Sequence, residues 1–132
     1  MHAVQTAGCA PLARAWQHAV ASGGGKNAGP RWSECMWAWE NVQSSLADGI
    51  LDDETYDWVG VCNAMADSGG SPVVATEQHV VDAYALAQKV TSMDVSPTGT
   101  AGLAGLLALR GEIANDERVV VVFSGVRRHF MP

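Results

Sequence analysis

A glycine-rich segment followed by an apolar run constrains the fold of this chain more than any other feature. Residues 96–107 begin with Ser-Pro-Thr and contain Gly99, Gly102 and Gly105, and the apolar run covers residues 119–123. Serine followed by proline is typical of a helix start, because serine caps the first turn and proline fits the first helical position. Glycine inside a helix costs roughly 1 kcal/mol relative to alanine. We therefore expect this helix to pack closely against a sheet or a ligand.

The apolar run shows no alternation with polar residues. It extends from Arg118 to Phe123 and ends at the pair Ser124-Gly125. A strand that is apolar on both faces is typical of a central parallel strand covered by helices. The sequence therefore predicts a buried final strand over residues 118–123, with Val121 covered on both sides.

Strand and helix patterns alternate along the rest of the chain. Strands are predicted at residues 3–5 and 72–75, and helices at 10–21, from Asp52 or Asp53 to about 66, from a cap at Thr76 to about 90, and from 96 to about 110. This order predicts an α/β fold, a partial three-layer sandwich with a short, mostly parallel sheet flanked by helices. The length of 132 residues fits a single domain, residues 1–132, in which 26–50 form an irregular aromatic loop.

Composition argues against several classes of function. A net charge of −6 with only two lysines leaves no basic stripe for a nucleic acid. The three cysteines form no Cys-x-x-Cys pair, and the four histidines show no ligand spacing, so we expect reduced thiols and no metal site. We also expect no membrane span or signal peptide, and hence a cytoplasmic protein.

In the order of its motifs, the chain resembles the C-terminal portion of fold-type II pyridoxal-phosphate enzymes of the threonine synthase type. Residues 4–12 resemble the strand-to-helix turn of that family, and residues 45–50 (Ser-Leu-Ala-Asp-Gly-Ile) resemble its segment after the mobile middle. Residues 82–93 resemble the family's helix before the glycine-rich element, and residues 96–107 resemble that element itself. The resemblance covers nearly the whole chain.

The resemblance implies where a cofactor would make contact. The residue that ends the final strand lies beside the ring nitrogen of pyridoxal phosphate in that family, and Ser124 stands at this position. A hydroxyl there can bond an unprotonated ring nitrogen, whereas a carboxylate would enforce a pyridinium. Thr98 and Gly99 match the opening of the family's glycine-rich helix. Ser96 departs from the pattern, since it stands where an acidic residue is frequent.

The family also implies residues that this sequence does not match. Its enzymes hold the cofactor as a Schiff base on a lysine, with a glycine-rich phosphate loop, in a portion that precedes the one resembled here. Lys26 and Lys89 lack the Ser-x-Lys context, and the triplet Gly23-Gly24-Gly25 is expected to end a helix. We therefore expect no cofactor and no catalysis in isolation.

Three hypotheses of function follow. The first is a stand-alone, non-catalytic domain that serves as a fold or interaction module. The second is one half of a split pyridoxal-phosphate lyase that needs a complementary chain. The third is a protein that binds a small anion or an amino acid beside Thr98 and Ser124. We also expect a homodimer, with Trp32, Trp37 and Trp39 either at its interface or anchoring the loop.

Overall fold

A computed structural model describes residues 1–21 and 29–127 of the chain. Two strands, β1 (Ala3–Thr6) and β2 (Pro72–Ala75), form a parallel two-stranded sheet in which Ala3 is opposite Pro72 and Thr6 is opposite Ala75. The helices are α1 (Pro11–Ala21), α2 (Trp32–Cys35), α3 (Trp58–Asp67), α4 (Glu77–Val90) and α5 (Ala101–Ala108). Short 3-10 turns lie at Gly29–Arg31, Asp48–Ile50 and Thr98–Thr100. The predicted α/β class with a short parallel sheet is confirmed.

The sheet lies between two groups of helices. Successive strand residues point to opposite faces. On one face Ala3 packs against the core of α1, α2 and α3, in which Trp58 and Met65 are fully buried. On the other face Val4 packs against the core of α4 and α5, where Val80 is 1% exposed. Helices therefore pack on both faces of the sheet, as the predicted sandwich requires.

Local signals at the helix starts account for three of the helices. The side-chain oxygen of Gln5 in β1 accepts the Ala13 amide in the first turn of α1 at 3.0 Å. Thr76 caps α4, since its hydroxyl accepts the His79 amide at 3.3 Å while the His79 ring accepts the Thr76 amide. The Ser96 hydroxyl accepts the Gly99 amide at 2.9 Å ahead of α5. The cap predicted at Thr76 is confirmed. The helix predicted from 96 begins at Ala101 instead, and Ser96 bonds the turn that precedes it.

The start of α3 differs from the prediction. The helix begins at Trp58, so neither Asp52 nor Asp53 caps it, and Asp57 at its cap position makes no side-chain cap bond. Residues 52–57 instead form a turn before the helix. The backbone oxygen of Asp53 accepts the Trp39 amide at 2.9 Å, and this bond connects the turn to the loop. The helix ends before Gly69, which has φ +67°, as its glycine pair predicted.

The prediction of a buried final strand is wrong. Residues 118–123 belong to no strand, and among the described residues β1 and β2 pair only with each other. Val120 is 89% exposed and Val122 is 71% exposed, while Val121 and Phe123 are half-buried. The segment lies beside α5, where the Val122 backbone oxygen is 3.1 Å from the β-carbon position of Gly102. Without a neighbouring strand, its backbone has no ladder to join.

The apolar stripe predicted for α4 is partly correct. Val80 and Ala87 are buried, Tyr84 is half-buried, and Val90 is 64% exposed at the end of the helix. Ala83 completes the buried side instead.

Within residues 1–21 and 29–127, no helix is both long and apolar enough to cross a membrane. The glycine triplet 23–25 and Lys26 lie outside the described residues.

Candidate functional site

An open cleft of about 730 Å³ lies between the sheet, α5 and the segment that follows α5. Residues from both strands, the glycines of α5 and the apolar segment line it together, among them Val4, Val73, Gly102, Gly105, Leu106, Val119 and Val121. The polar side chains in its lining are those of His2, Ser68, Thr98, Glu117, Arg118 and Ser124. The cleft therefore combines an apolar floor with hydroxyl groups and side chains of both charges, a composition that can hold a small molecule.

The glycines of α5 create the floor of this cleft. A β-carbon on Gly105 would lie within 3.2 Å of Val4 Cγ1, and one on Gly102 within 3.3 Å of Val121 Cγ1. These distances are shorter than ordinary contacts between carbon atoms, which lie at about 3.5–4.0 Å. The expectation that the glycines allow close packing is confirmed, because α5 approaches the sheet at one glycine and the apolar segment at another.

Ser124, Thr98 and Gly99 lie at the same end of the cleft. The Ser124 amide donates to the Gly99 backbone oxygen at 3.3 Å, and both Thr98 and Ser124 border the cleft. The Ser124 side chain is exposed, and its hydroxyl has no hydrogen-bond partner among the described residues. This hydroxyl is therefore available to a ligand. The structure thus brings together the three residues that the resemblance picked out, and their role toward a cofactor stays a prediction.

Thr98 is held by a turn that sequence analysis left without a role. The Gly49 amide donates to the Thr98 hydroxyl oxygen at 3.1 Å, and that hydroxyl donates to the Asp48 carboxylate at 3.5 Å. A β-carbon on Gly49 would lie 3.0 Å from Thr98 Oγ1, so glycine permits the approach. Ile50 of the same turn lines the cleft. The Asp48-Gly49 pair was visible in the sequence, but nothing in it indicated a contact with Thr98.

Lys89, the one lysine among the described residues, does not lie where it could attach a cofactor covalently at the cleft. Lys89 is exposed on α4 and does not line the cleft. The described residues at the cleft can therefore contact a ring through Ser124 and apolar side chains. None of them is a lysine, although Met1, whose terminal amine donates to Ser68 Oγ at 2.6 Å, also lines the cleft. The described lining would suit a non-covalent contact with a pyridoxal ring, and it includes no lysine to attach one.

The cysteines are not placed for nucleophilic chemistry. Cys9, Cys35 and Cys62 are buried and free, as expected for reduced thiols. Burial raises the pKa of Cys62 to about 11, with the neighbouring Cys35 acting in the same direction. The pKa of Cys9 is also raised, first by burial and then by Asp53 and Asp52, and its thiol donates to the Asp52 backbone oxygen at 3.2 Å. Thiolate is the reactive form, so burial disfavours reaction at Cys9 and Cys62.

The aromatic loop is organised by an arginine that sequence analysis did not single out. The Arg14 guanidinium lies 3.9 Å from the centre of the Trp37 ring, forms an ion pair with Glu40 at 3.2 Å and donates to the backbone oxygen of Trp37. The Trp37 indole donates to Glu40 at 2.8 Å, and this bond is the main cause that lowers the Glu40 pKa. The cluster holds the loop against α1, outside the cleft.

Trp32 and Trp39 also have partners within the chain. Trp32 meets the buried Trp58 edge-on at 5.4 Å between ring centres, and Trp39 lies 5.0 Å from the Arg14 guanidinium. All three loop tryptophans therefore anchor the loop, which was one of the two roles expected for them.

No group of three or more metal-ligating side chains occurs within the ranges that the structure describes.

Comparison with known proteins identifies the lineage of this fold. The family model described as pyridoxal-phosphate dependent enzyme matches residues 1–125. The chain belongs to that family. The crystal structure of a threonine deaminase from T.th. is similar to it with a TM-score of 0.71 over 99% of this chain, at 17% sequence identity. No curated protein sequence matches the chain.

The structural likeness places the chain in fold type II of the pyridoxal-phosphate enzymes, as the resemblance implied. At this level of identity the likeness concerns the fold alone. The chain covers 41% of the length of the threonine deaminase. It therefore corresponds to a domain-sized part of a larger pyridoxal-phosphate enzyme of this fold.

Proposed function

We propose that this chain, by itself, is a non-catalytic domain of a pyridoxal-phosphate enzyme that provides the ring-contacting side of a cofactor site. The observation that carries the proposal is the cleft beside α5, whose described lining has the Ser124 hydroxyl at its border and contains no lysine. When bound, the cofactor supplies an electron sink for amino-acid chemistry. Ser124 would hold its ring by a neutral hydrogen bond, while Val121 and Leu106 exclude water from the ring face.

Catalysis would then depend on a complementary portion that carries the lysine and the phosphate-binding residues. The apolar segment after α5 supports this second hypothesis. Val119, Val120 and Val122 are exposed to 45%, 89% and 71%, and no amide from 118 to 123 donates to a backbone oxygen of the described residues. Exposed apolar strand-like backbone is a surface on which another strand can pair. Such a portion would make the assembly a lyase of the threonine synthase type, whether it lies on this polypeptide or on another.

The first experiment tests the absence of covalent attachment. The isolated chain is titrated with pyridoxal 5′-phosphate, reduced with borohydride and mapped by peptide mass spectrometry, and ammonia release from L-threonine is assayed in parallel. We expect neither a stoichiometric lysine adduct nor ammonia. A stoichiometric adduct on Lys26 or Lys89 that disappears in the Lys26→Arg or Lys89→Arg variant would contradict the proposal.

The second experiment tests the ring contact without the aldehyde. 4′-Deoxypyridoxine 5′-phosphate is titrated into the isotope-labelled chain and followed by NMR. We expect shifts that concentrate at Ser124 and Gly102 and that weaken in Ser124→Ala. Ser92→Ala, which changes an exposed serine outside the cleft, is the matched control. Equal binding by both variants would remove Ser124 from the site.

The position of Arg118 supports the third hypothesis, a protein that binds a small anion or an amino acid. Its side chain borders the same cleft as Ser124 and could pair with a carboxylate or phosphate. Titration with inorganic phosphate and with L-threonine distinguishes this third hypothesis, since a small-anion binder should bind either one and lose that binding in Arg118→Gln. The three buried free thiols support a reducing, cytoplasmic location for each of these functions.

A further inference from the structure

Two backbone hydrogen bonds join the start of the glycine-rich element to the residues around Ser124, and three further bonds close the turn of that element. The Ser96 amide donates to the Gly125 backbone oxygen at 3.1 Å, and the Ser124 amide donates to the Gly99 backbone oxygen at 3.3 Å. The Thr100 amide donates to the backbone oxygens of Ser96 at 3.1 Å and Pro97 at 3.2 Å. The Ser96 hydroxyl closes the turn by accepting the Gly99 amide at 2.9 Å.

The two glycines of this arrangement are in direct contact. A β-carbon on Gly99 would overlap the Gly125 backbone oxygen and lie 2.8 Å from its nitrogen. A β-carbon on Gly125 would lie 2.9 Å from Ser96 Oγ. Gly99 is therefore restricted to glycine by the neighbouring backbone and not by φ, whereas a β-carbon at position 125 would require the Ser96 hydroxyl to move. The turn and the Ser124-Gly125 pair can meet because Gly99 carries no side chain.

From these contacts we propose that Ser96, Gly99 and Gly125 form a clamp that positions the Ser124 hydroxyl at the border of the cleft. Ser96 is a positioning residue in this arrangement, since it acts on Ser124 through the backbone of Gly99 and does not line the cleft. This inference rests on the proposed function for the meaning of the Ser124 position. The clamp itself is a property of the chain without any ligand.

The segment around Ser124 needs such a device because little else fixes it. The preceding residues 118–123 join no strand, and Val122 and Ser124 are exposed. Beyond the clamp, the Arg127 amide donates to the Asp94 backbone oxygen at 3.0 Å, and Val126 bridges Val95. A site residue on an otherwise unpaired segment would lose its geometry without these fixed points, whereas precise contact with a ligand requires a rigid support.

The test measures amide hydrogen exchange of the ligand-free chain by NMR. Loss of one neutral hydrogen bond should speed exchange by roughly two- to tenfold. We expect that effect at the Ser124 and Ser96 amides in Ser96→Ala, and a larger one in Gly99→Ala. Ser92→Ala and Gly111→Ala are the controls, since Ser92 is exposed and a β-carbon on Gly111 meets no atom within 4 Å.

Two comparisons separate a clamp from a general loss of stability. The amides of β1 should exchange at the wild-type rate in Ser96→Ala, because the change is confined to the turn. Ser96→Asp should restore protection at Ser124, since a carboxylate also accepts an amide at a cap position. Unchanged exchange at Ser124 in both Ser96→Ala and Gly99→Ala, or equal acceleration in β1, would overturn the proposal.

A ligand arm distinguishes this inference from the proposed function. Binding of 4′-deoxypyridoxine 5′-phosphate should weaken in Ser96→Ala and recover in Ser96→Asp, in parallel with Ser124 protection. If the wild-type chain fails to bind the probe while Ser124 exchange responds as expected, the proposed function fails and the clamp stands. If the probe binds the Ser96→Ala and wild-type chains equally, the clamp does not position the hydroxyl for the ligand.

Discussion

Gly105 of α5 rests directly on Val4 of β1, with no room for a β-carbon between them. The nearest atoms would be the methyl groups of Val4, one of them at 3.2 Å. This contact joins the second helical layer to the sheet and forms the floor of the cleft. The glycine thus compensates for its low helix propensity by allowing α5 to approach the sheet closely.

The first prediction compares two helical glycines. Gly105→Ala should lower the free energy of unfolding by about 1–3 kcal/mol, because the added methyl group overpacks the contact with Val4. Gly60→Ala is the matched control in α3, where a β-carbon meets no atom within 4 Å. It should raise stability by roughly 0.5–1 kcal/mol through helix propensity alone. Urea denaturation measures both, and the same sign in both variants would contradict the packing argument.

The parts of the fold that the sequence predicted are those with local causes. Thr76 caps α4 and Ser96 closes the turn before α5, each through an amide three residues away, and the glycine pair after α3 ends that helix within one turn. The run 118–123 was misjudged because apolar residues indicate what a segment would bury, but not whether a neighbouring strand exists. The Arg14–Trp37 contact joins α1 to the loop over a separation of 23 residues, so no periodic pattern predicts it.

In the candidate site, too, the sequence indicated some residues and not the tertiary contacts between them. Thr98, Gly99 and Ser124 were selected by resemblance, and their backbones meet as one cluster. The contact of Gly49 with Thr98 depends on how residues 45–50 fold back onto the glycine-rich element. That contact is a tertiary relationship, and a single sequence has no pattern that encodes it.

The second prediction concerns charge on the apolar segment. Val121 is half-buried, so Val121→Asp should cost the isolated chain roughly 1–2 kcal/mol, since the carboxylate can turn toward water. Val80→Asp, at a site 1% exposed, should prevent folding because an unpaired carboxylate would be buried. Val120→Asp, at a site 89% exposed, should change stability by no more than about 0.5 kcal/mol. Thermal melts of the three variants provide the comparison.

The three melts also distinguish a buried strand at residues 118–123, which the sequence predicted, from the open segment that the structure shows there. Loss of folding in Val121→Asp equal to that in Val80→Asp would mean that the segment is a buried strand after all. Graded effects that follow exposure support an open segment in the isolated chain.

The third prediction is a pH dependence that comes from Cys62. Its thiol is fully buried, and its pKa is raised from 9.0 to about 11. A raised folded-state pKa stabilises the protein below the unfolded value, and this stabilisation is lost as the pH rises from about 9 to 11. The shift corresponds to roughly 2–3 kcal/mol.

Comparison with Cys62→Ala isolates this effect. The stability difference between the wild-type chain and the variant should be constant from pH 6 to 8 and should shrink above about pH 9, because the variant has no thiol to titrate. Urea denaturation at each pH gives the two curves. Parallel curves through pH 11 would show that the Cys62 thiol is not protected by burial.

The last prediction is self-association through the apolar segment. Val119, Val120 and Val122 are exposed on backbone that pairs with no strand among the described residues. In the absence of a complementary portion, a second copy can cover this patch by two-fold symmetry. Sedimentation velocity should show a concentration-dependent dimer for the wild-type chain and a monomer for Val120→Asp. Tyr56→Asp, which changes an 81% exposed residue on the turn before α3, is the control and should remain dimeric. A wild-type monomer at every concentration would contradict the homodimer, and a dimer that persists in Val120→Asp would place the interface on another surface.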